Sequence, residues 1–462
     1  MSQTNHNRGD LSRRSFLKKT AIGSFAAVAA PMILPRHVLG MNGEPGANTR
    51  INIGIIGVGN QGRYLARRLS SDALSDQCRI VAISDVYLPR AKEVAESLDV
   101  EAVYQDYREM LDRADIDAVV VTTPLHWHAL NCIHAAQAGK DIFCEKPLTF
   151  SIVEGRRVVE AVRKYDRVLQ TGIQGRVHRN AHRACENVRN GVLGNIERII
   201  AHNYHSPMEP DFPEERIPEG LDWDMWCGPA EKPPYNFAVW DNRSNPSWVS
   251  LRPFSGSSMT DWGSHGLDLA QWALGMDESG PEEVWVEGDP FETMVSTPEN
   301  PGGRQQGPRS PQVFMKYPGG LVMEFSRAGR WNEINVIGEN GTIDITRDGF
   351  SSEPAELMGR RLEGAEIELY QGLEYALEND ILQDWFNCIR ERRAPGADVE
   401  IGHRTTSVCH LANIARWVSG ITGETGQRLQ WDTQNERFTN SPEANRFLNP
   451  YRREAYGLPE RV

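Results

Sequence analysis

The stretch Ile51–Gly62, INIGIIGVGNQG, limits what this chain can fold into more than any other. An apolar, β-branched run (Ile51, Ile53, Ile55, Ile56) ends in Gly57-Val58-Gly59-Asn60-Gln61-Gly62, and Arg63–Leu69 then reads as a helix. A strand feeding G-x-G-x-x-G into a helix is the fingerprint of a dinucleotide site. Gly57 permits the tight turn, Gly59 leaves backbone bare for a pyrophosphate, and Gly62 lets helix and strand approach closely. The helix start, with Asn60 and Gln61, turns unpaired N–H groups and a positive dipole end toward the phosphates. A second apolar run, Arg79–Ser84, ends in Asp85, 23 residues past Gly62. An acidic residue there is placed to hold the adenosine ribose hydroxyls, which points to NAD because a carboxylate repels a 2′-phosphate. Arg90, close in sequence, leaves NADP open.

From Ile51 onward strands and helices alternate: Pro89–Leu98 as helix, then Ala102–Tyr104, a helix through Leu111, and the buried strand Ala118–Val121. A continuous apolar strand is what a parallel sheet covered on both faces requires. It runs into Thr122-Thr123-Pro124-Leu125-His126-Trp127-His128, and a helix precedes Asp141–Cys144 and Glu145-Lys146-Pro147. The pattern predicts a doubly wound α/β domain over residues 51–175. Gly57, Asp85, the Pro124–His128 turn and Lys146 then converge on the carboxyl edge of its sheet. After Arg176 the pattern changes to a Pro- and Trp-rich loop (Ser206–Pro253), a helix from about Thr260 to Leu274, and short strands between Glu283 and Thr346. Residues 176–432 therefore read as an α+β domain with a largely antiparallel, open sheet. Helices are expected at Glu374–Arg390 and Ser407–Val418. Residues 433–462 read as a polar, irregular tail.

At 462 residues the chain exceeds one ordinary core. Its net charge is −13. The first 40 residues hold six basic side chains and one acid, so the rest carries −18. Such an acidic body argues against nucleic acid or an anionic membrane as partner. The N-terminal excess has its own reading. Ser12-Arg13-Arg14-Ser15-Phe16-Leu17-Lys18 is a twin-arginine pattern, and the apolar run Ala21–Leu34 is too short to span a bilayer comfortably. Residues 1–40 thus read as a twin-arginine export signal and 41–50 as a linker, which places the protein in the periplasm after it has folded. Seven scattered cysteines without C-x-x-C exclude a zinc ribbon and fit folding in a reducing compartment. No metal site is indicated.

Two constellations carry chemistry. Lys146, just past a strand end, is a compact cation able either to polarise a substrate hydroxyl or to donate a proton. In Met259–Asp268, Asp261 and His265 are four apart, and Asp268 lies one turn further, so a helix would place all three on one face. A carboxylate beside an imidazole orients it as a general base. In this order, G-x-G-x-x-G, Glu145-Lys146-Pro147, Gly172–Arg176 and D-x-x-x-H resemble the glucose–fructose oxidoreductase/inositol dehydrogenase (Gfo/Idh/MocA) family. Trp223–Ala230 and Leu429–Asp432 are similar to it as well. One departure is Gly256-Ser257-Ser258 where the family often has Gly-Gly.

The resemblance implies Lys146, Asp261 and His265 as the catalytic set, and hydride transfer between NAD(P) and a hydroxyl carbon of a sugar, inositol or derivative. Thr123, Pro124, His128 and Glu145 join Gly57, Gly59, Asn60, Gln61, Gly62, Asp85 and Lys146 as expected cofactor contacts. His126 and His128 either touch cofactor or substrate or cap the next helix. Trp223 and Trp226 either wall a sugar site or bury the long loop, and Gln174, Arg176 and Asp268 are candidate substrate contacts. An exported enzyme needs a tightly bound nucleotide. Two family habits supply it: hydride passed between two sugars, or a glycoside hydrolase that uses bound NAD as an internal redox relay. A nucleotide-holding protein without catalysis is the third reading. A homo-dimer or tetramer through the open sheet is expected.

Overall fold

Six parallel strands and a mixed nine-stranded sheet organise the computed structural model. It describes residues 50–459 except 242, 303–309, 327–330, 332, 348 and 359–379. The expected signal segment and most of the linker lie outside the described residues, as does the start of the helix expected from Glu374. The first sheet comprises β1 (Ile51–Ile56), β2 (Cys78–Ser84), β3 (Val103–Tyr104), β4 (Ala118–Val121), β5 (Asp141–Cys144) and β6 (Leu169–Thr171). Their order is β3-β2-β1-β4-β5-β6, all parallel. The order in which strands are added reverses between β1 and β4. That switch point opens a crevice at the carboxyl ends.

The second sheet begins with β7 (Ile196–His202), and a separate two-stranded patch pairs β8 (Glu209–Pro210) with β10 (Val295–Ser296). The sheet continues with β9 (Glu283–Glu287), β11 (Gln312–Lys316), β12 (Val322–Ser326), β13 (Glu333–Gly338), β14 (Gly341–Thr346), β15 (Phe350–Glu353), β16 (Leu429–Asp432) and β17 (Arg437–Phe438). Their order is β15-β14-β13-β7-β12-β11-β9-β16-β17. Every pairing is antiparallel except β7 with β12. One face alternates Ile199, Ala201, Val313, Met315, Met323, Phe325, Ile343 and Ile345 into a core with helices Arg179–Arg189, Gly263–Ala273 and Val399–Thr422. The period of two sets this face, as it must in a sheet with one side covered.

Packing crosses the boundary drawn at residue 175. Helix Ile381–Glu391 sends Trp385 and Phe386 into one core with Ile53, Ile55 and Phe143 of the nucleotide sheet. Helix Val399–Thr422 is longer than the sequence suggests and packs on Ile152–Lys164. The tail is no loose end. Beyond adding β17 it returns to the nucleotide domain, where Tyr456 sets its ring edge-on to Trp127 at 5.3 Å, and to the 206–253 loop, where Arg453 Nη1 bonds Asp224 at 2.7 Å. All seven cysteines are buried free thiols, and burial pushes Cys78 up to about 12. No described helix is long and apolar enough to cross a membrane.

Candidate active site

A cleft of about 1100 Å³ opens at the carboxyl edge of the first sheet. The glycines divide its floor by function of shape. Gly57 has φ +86°, and a Cβ there would sit 3.0 Å from the Thr123 backbone nitrogen. Gly62 faces Gly57 so closely that a Cβ would lie 2.1 Å from its carbonyl oxygen. Gly59 is different: a Cβ there would meet no protein atom within 4 Å, and the residue lines the cleft. No fold contact demands a glycine there, so the room is left for a ligand. The helix Asn60–Leu69 that follows has no side-chain cap and no acid in its first turn. Its positive end thus faces the cleft uncompensated, as a pyrophosphate requires. These residues fit a dinucleotide. Among the described residues no cluster could hold a metal ion.

Asp85 is committed to its own loop. Its Oδ2 accepts from Val58 N (2.8 Å) and Arg90 Nε (3.0 Å), and its Oδ1 from Tyr87 N (2.8 Å) and Arg90 Nη2 (2.8 Å). A carboxylate has about four lone-pair sites, and here four donors fill them. The Arg90 guanidinium also lies 5.7 Å from the Tyr87 ring and 5.5 Å from Trp240. Ribose hydroxyls therefore reach Asp85 only by displacing Arg90, a competition that sequence spacing could not show.

The Pro-rich loop supplies the cover over this end. Trp240, Asp241 and Arg243 line the cleft, Leu88 N bonds Gly220 O at 3.0 Å, and Asp222 N bonds Val86 O at 3.0 Å. Gln61 Nε2 donates to Glu145 Oε1 at 2.7 Å, tying the glycine loop to the Glu145-Lys146-Pro147 turn. Burial raises the Glu145 carboxyl, against the opposing pull of Lys146 and Gln61. His128, with Thr123 and Pro124, lines the cleft and faces the carbonyls of Pro147 and Thr123, each at 2.9 Å. Burial lowers its pKa more than those carbonyls raise it.

Across the cleft the catalytic candidates meet. Lys146 Nζ bonds Asp261 Oδ1 at 2.6 Å and the Asp261 carbonyl at 3.0 Å, and it stands 5.9 Å from the Trp262 ring. His265 is buried and, like Lys146, Asp261 and Trp262, lines the cleft. The continuous helix expected from Thr260 is broken. Ser257–Asp261 is one helix and Gly263–Ala273 the next, with Trp262 between them. At the junction His265 N bonds Trp262 O at 3.0 Å, and the Asp261 carbonyl accepts instead from Lys146 Nζ at 3.0 Å and Ser264 Oγ at 3.2 Å.

Several expected substrate contacts lie elsewhere. Arg176 and Asp268 do not line the cleft. The carboxylate is fully buried, receives Arg176 Nε and Nη2 at 2.8 Å and Thr405 Oγ1 at 2.8 Å, and Asp277 adds a second carboxylate to the arginine. This is an ion pair of the core. His126 is also withdrawn: its Nε2 donates to Trp226 O at 2.9 Å, and burial brings it down to about 4. Trp223 stacks on Trp226 at 4.6 Å and is spent on the loop's own core, whereas Trp226 and Gln174 line the cleft. Trp240, Trp248, Trp262, His178 and Arg347 line it as well, and sequence reasoning missed them. The tryptophans lie in or beside irregular segments, where no periodicity marks which side faces a ligand.

Residues 51–173 match the Gfo/Idh/MocA oxidoreductase family's NAD-binding Rossmann fold, and residues 203–297 match its C-terminal alpha/beta domain. Myo-inositol 2-dehydrogenase of Thermotoga maritima is 34% identical over 175 residues, which are 38% of this chain and 51% of that protein. The inositol 2-dehydrogenase of Azotobacter vinelandii is 35% identical over 158 residues, 34% of this chain and 45% of that one. The chain thus spans about half the length of the curated relatives it matches. Among solved structures, levoglucosan dehydrogenase in complex with NADH superposes with TM-score 0.54 at 20% identity, covering 81% of this chain and 98% of that one. Aldose-aldose oxidoreductase from Caulobacter crescentus gives 0.53 at 17%, covering 82% and 99%. These likenesses show a shared fold.

Proposed function

We propose that this chain, which belongs to the Gfo/Idh/MocA oxidoreductase family through residues 51–173 and 203–297, moves hydride between bound NAD and a CH–OH carbon of a sugar, inositol or derivative. The observation that carries this is the Lys146–Asp261 pair at 2.6 Å, set with His265 on the wall of the dinucleotide cleft. NAD, when bound, supplies the hydride acceptor. His265 takes the hydroxyl proton, and Lys146, fixed by Asp261, offers a positioned cation to the developing alkoxide. Trp262 and Trp226 supply apolar walls that a sugar ring can stack on.

The test is nicotinamide absorbance with myo-inositol and a panel of aldoses. Lys146→Ala and His265→Ala should each retain nucleotide and lose at least about 100-fold in rate. Near-normal turnover in either sinks the assignment. Cleavage of glycosides without net absorbance change would instead favour the internal redox relay.

Three properties go with this reading. The nucleotide is held tightly under the 206–253 loop, so mass spectrometry of the denatured protein should find it near one per chain. Export follows folding, supported by Ser12–Lys18. Replacing Arg13 and Arg14 by lysine should trap the protein inside, and an unchanged periplasmic pool would refute the export route. A homo-dimer or tetramer covers the outer face of the second sheet, where Trp285 stacks on Phe314 at 5.4 Å beneath Arg428. Light scattering that gives a monomer mass rules this out.

A further inference from the structure

The irregular tail grips the loop that walls the cleft. Arg453 donates through Nε to Gly228 O at 2.6 Å, and through Nη1 and Nη2 to Asp224 Oδ1 and Asp224 O, each at 2.7 Å. Its backbone nitrogen bonds Pro229 O at 3.1 Å. The guanidinium lies 4.9 Å from the Tyr456 ring, which in turn packs on Trp127. Together with Lys232, Arg453 holds the Asp224 carboxyl down at about 2. What it grips is a helix of five residues, Trp223–Cys227, too short to stand without tertiary support. From the inner side Trp127 Nε1 donates to Met225 O at 2.9 Å and to Trp226 O at 3.0 Å. Gly228, at φ +49°, lets the two sides close, because a Cβ there would lie 2.3 Å from the Trp127 ring.

The helix is therefore held between Trp127 and Arg453, and it carries Trp226 onto the cleft wall. The two holds differ in kind. Trp127 itself lines the cleft, whereas Arg453 stands behind the helix and does not. The last carbonyls of a helix need donors from outside it, and the rigid fork of a guanidinium sets the angle at which they are held. The tail lies beyond both segments matched by the family. We propose that Arg453 is a positioning residue for substrate: by fixing helix Trp223–Cys227 it sets where the Trp226 ring stands, and so tightens binding of a sugar or cyclitol ring that it never touches. This rests on the proposed function, in which Trp226 walls the sugar site.

The test is steady-state kinetics of the full protein with whichever of myo-inositol and the aldoses it turns over. Arg453→Gln should raise KM about tenfold while kcat stays within about threefold and nucleotide content is unchanged, the pattern of lost uniform binding. The same substitution in a Trp226→Leu background (Trp226→Phe, should leucine not fold) should add little, because residues acting through one group are not additive. An unchanged KM in Arg453→Gln overturns the inference and leaves the proposed function standing. So does a KM rise that persists in full without Trp226, or a joint fall of kcat and nucleotide content that marks general damage. If the unaltered protein turns over none of the panel, the proposed function fails and amide exchange reads the clamp by itself. Arg453→Gln should then speed exchange at residues 225–228 at least about tenfold and leave residues 51–62 as they were. Equal protection of 225–228 in both proteins overturns the inference.

Discussion

Two cation–carboxylate pairs stand about two turns apart along the Ser257–Ala273 segment, and they do opposite work. Lys146–Asp261 sits on the cleft wall, with each side chain nearly a fifth exposed. Arg176–Asp268 lies in the core, with exposures of 2% and 0%. The first holds a cation where a substrate oxygen can come. The second is closed on every side, by Asp277, by Thr405 and by the Trp272 ring 5.0 Å from the guanidinium. Burial pushes the Asp268 carboxyl up, and Arg176 opposes it. The lesson is that a spacing of acid and base identifies partners, whereas the depth at which they meet decides between catalysis and architecture.

Breaking the core pair should have the largest effect. Arg176→Ala strands a buried carboxylate and is expected to cost about 3–5 kcal/mol of stability. Urea unfolding would read this, and a variant that also replaces Asp268 by leucine should recover much of the loss. Next comes the acid limb of stability. His126 and His410 are both held neutral by burial, each at about 4. Their unfolded forms take up protons below the ordinary histidine value near 6.5, so stability should fall as pH drops from about 6.5 toward 4, by up to ~3 kcal/mol per histidine. A urea midpoint flat across that window would contradict their burial.

Lys146→Ala makes the contrast on the cleft side. Its rate should fall at least about 100-fold, while the stability change stays within about 1 kcal/mol, as expected for a partly solvated pair. A loss of stability comparable to that of Arg176→Ala would erase the distinction between the two pairs. The smallest effect concerns a third pair. Arg90→Ala frees Asp85 to accept ribose hydroxyls and removes a cation from the adenosine end. Preference for NAD over NADP is therefore expected to rise about tenfold, a free-energy change of about 1.4 kcal/mol, read as the ratio of kcat/KM values. An unchanged ratio would show that Arg90 does not guard that carboxylate.

Much of the nucleotide half was legible because each layer of signal agrees there. The β-branched runs, the glycine spacing and the strand-end residues all depend on near neighbours in sequence, and β1, β4 and β5 fall where the apolar runs do. The strands of the second sheet between Glu283 and Thr346 were legible for the same reason, whereas β15, β16 and β17 were not. What escaped was set by distant parts. The Asp261 carboxylate meets Lys146, which lies 115 residues away in sequence. Arg176 was placed among substrate contacts because its partners come from 92 and 101 residues away. Asp85 was read as waiting for ribose, yet its occupation by Arg90 needs only five residues, a local hydrogen bond that spacing rules for the fingerprint pass over.

The helix carrying Trp385 and Phe386 has a further consequence, for the order of events during synthesis. The glycine fingerprint leaves the ribosome early, but the hydrophobic seal beneath its sheet is encoded more than 300 residues later. The nucleotide half therefore emerges as an unfinished surface, with Phe143 still lacking the indole that will lie 5.7 Å away. Chains halted before residue 381 should be captured by chaperones and not by NAD. Completion of the polypeptide, rather than appearance of the binding motif, then becomes the checkpoint at which a cofactor can be retained.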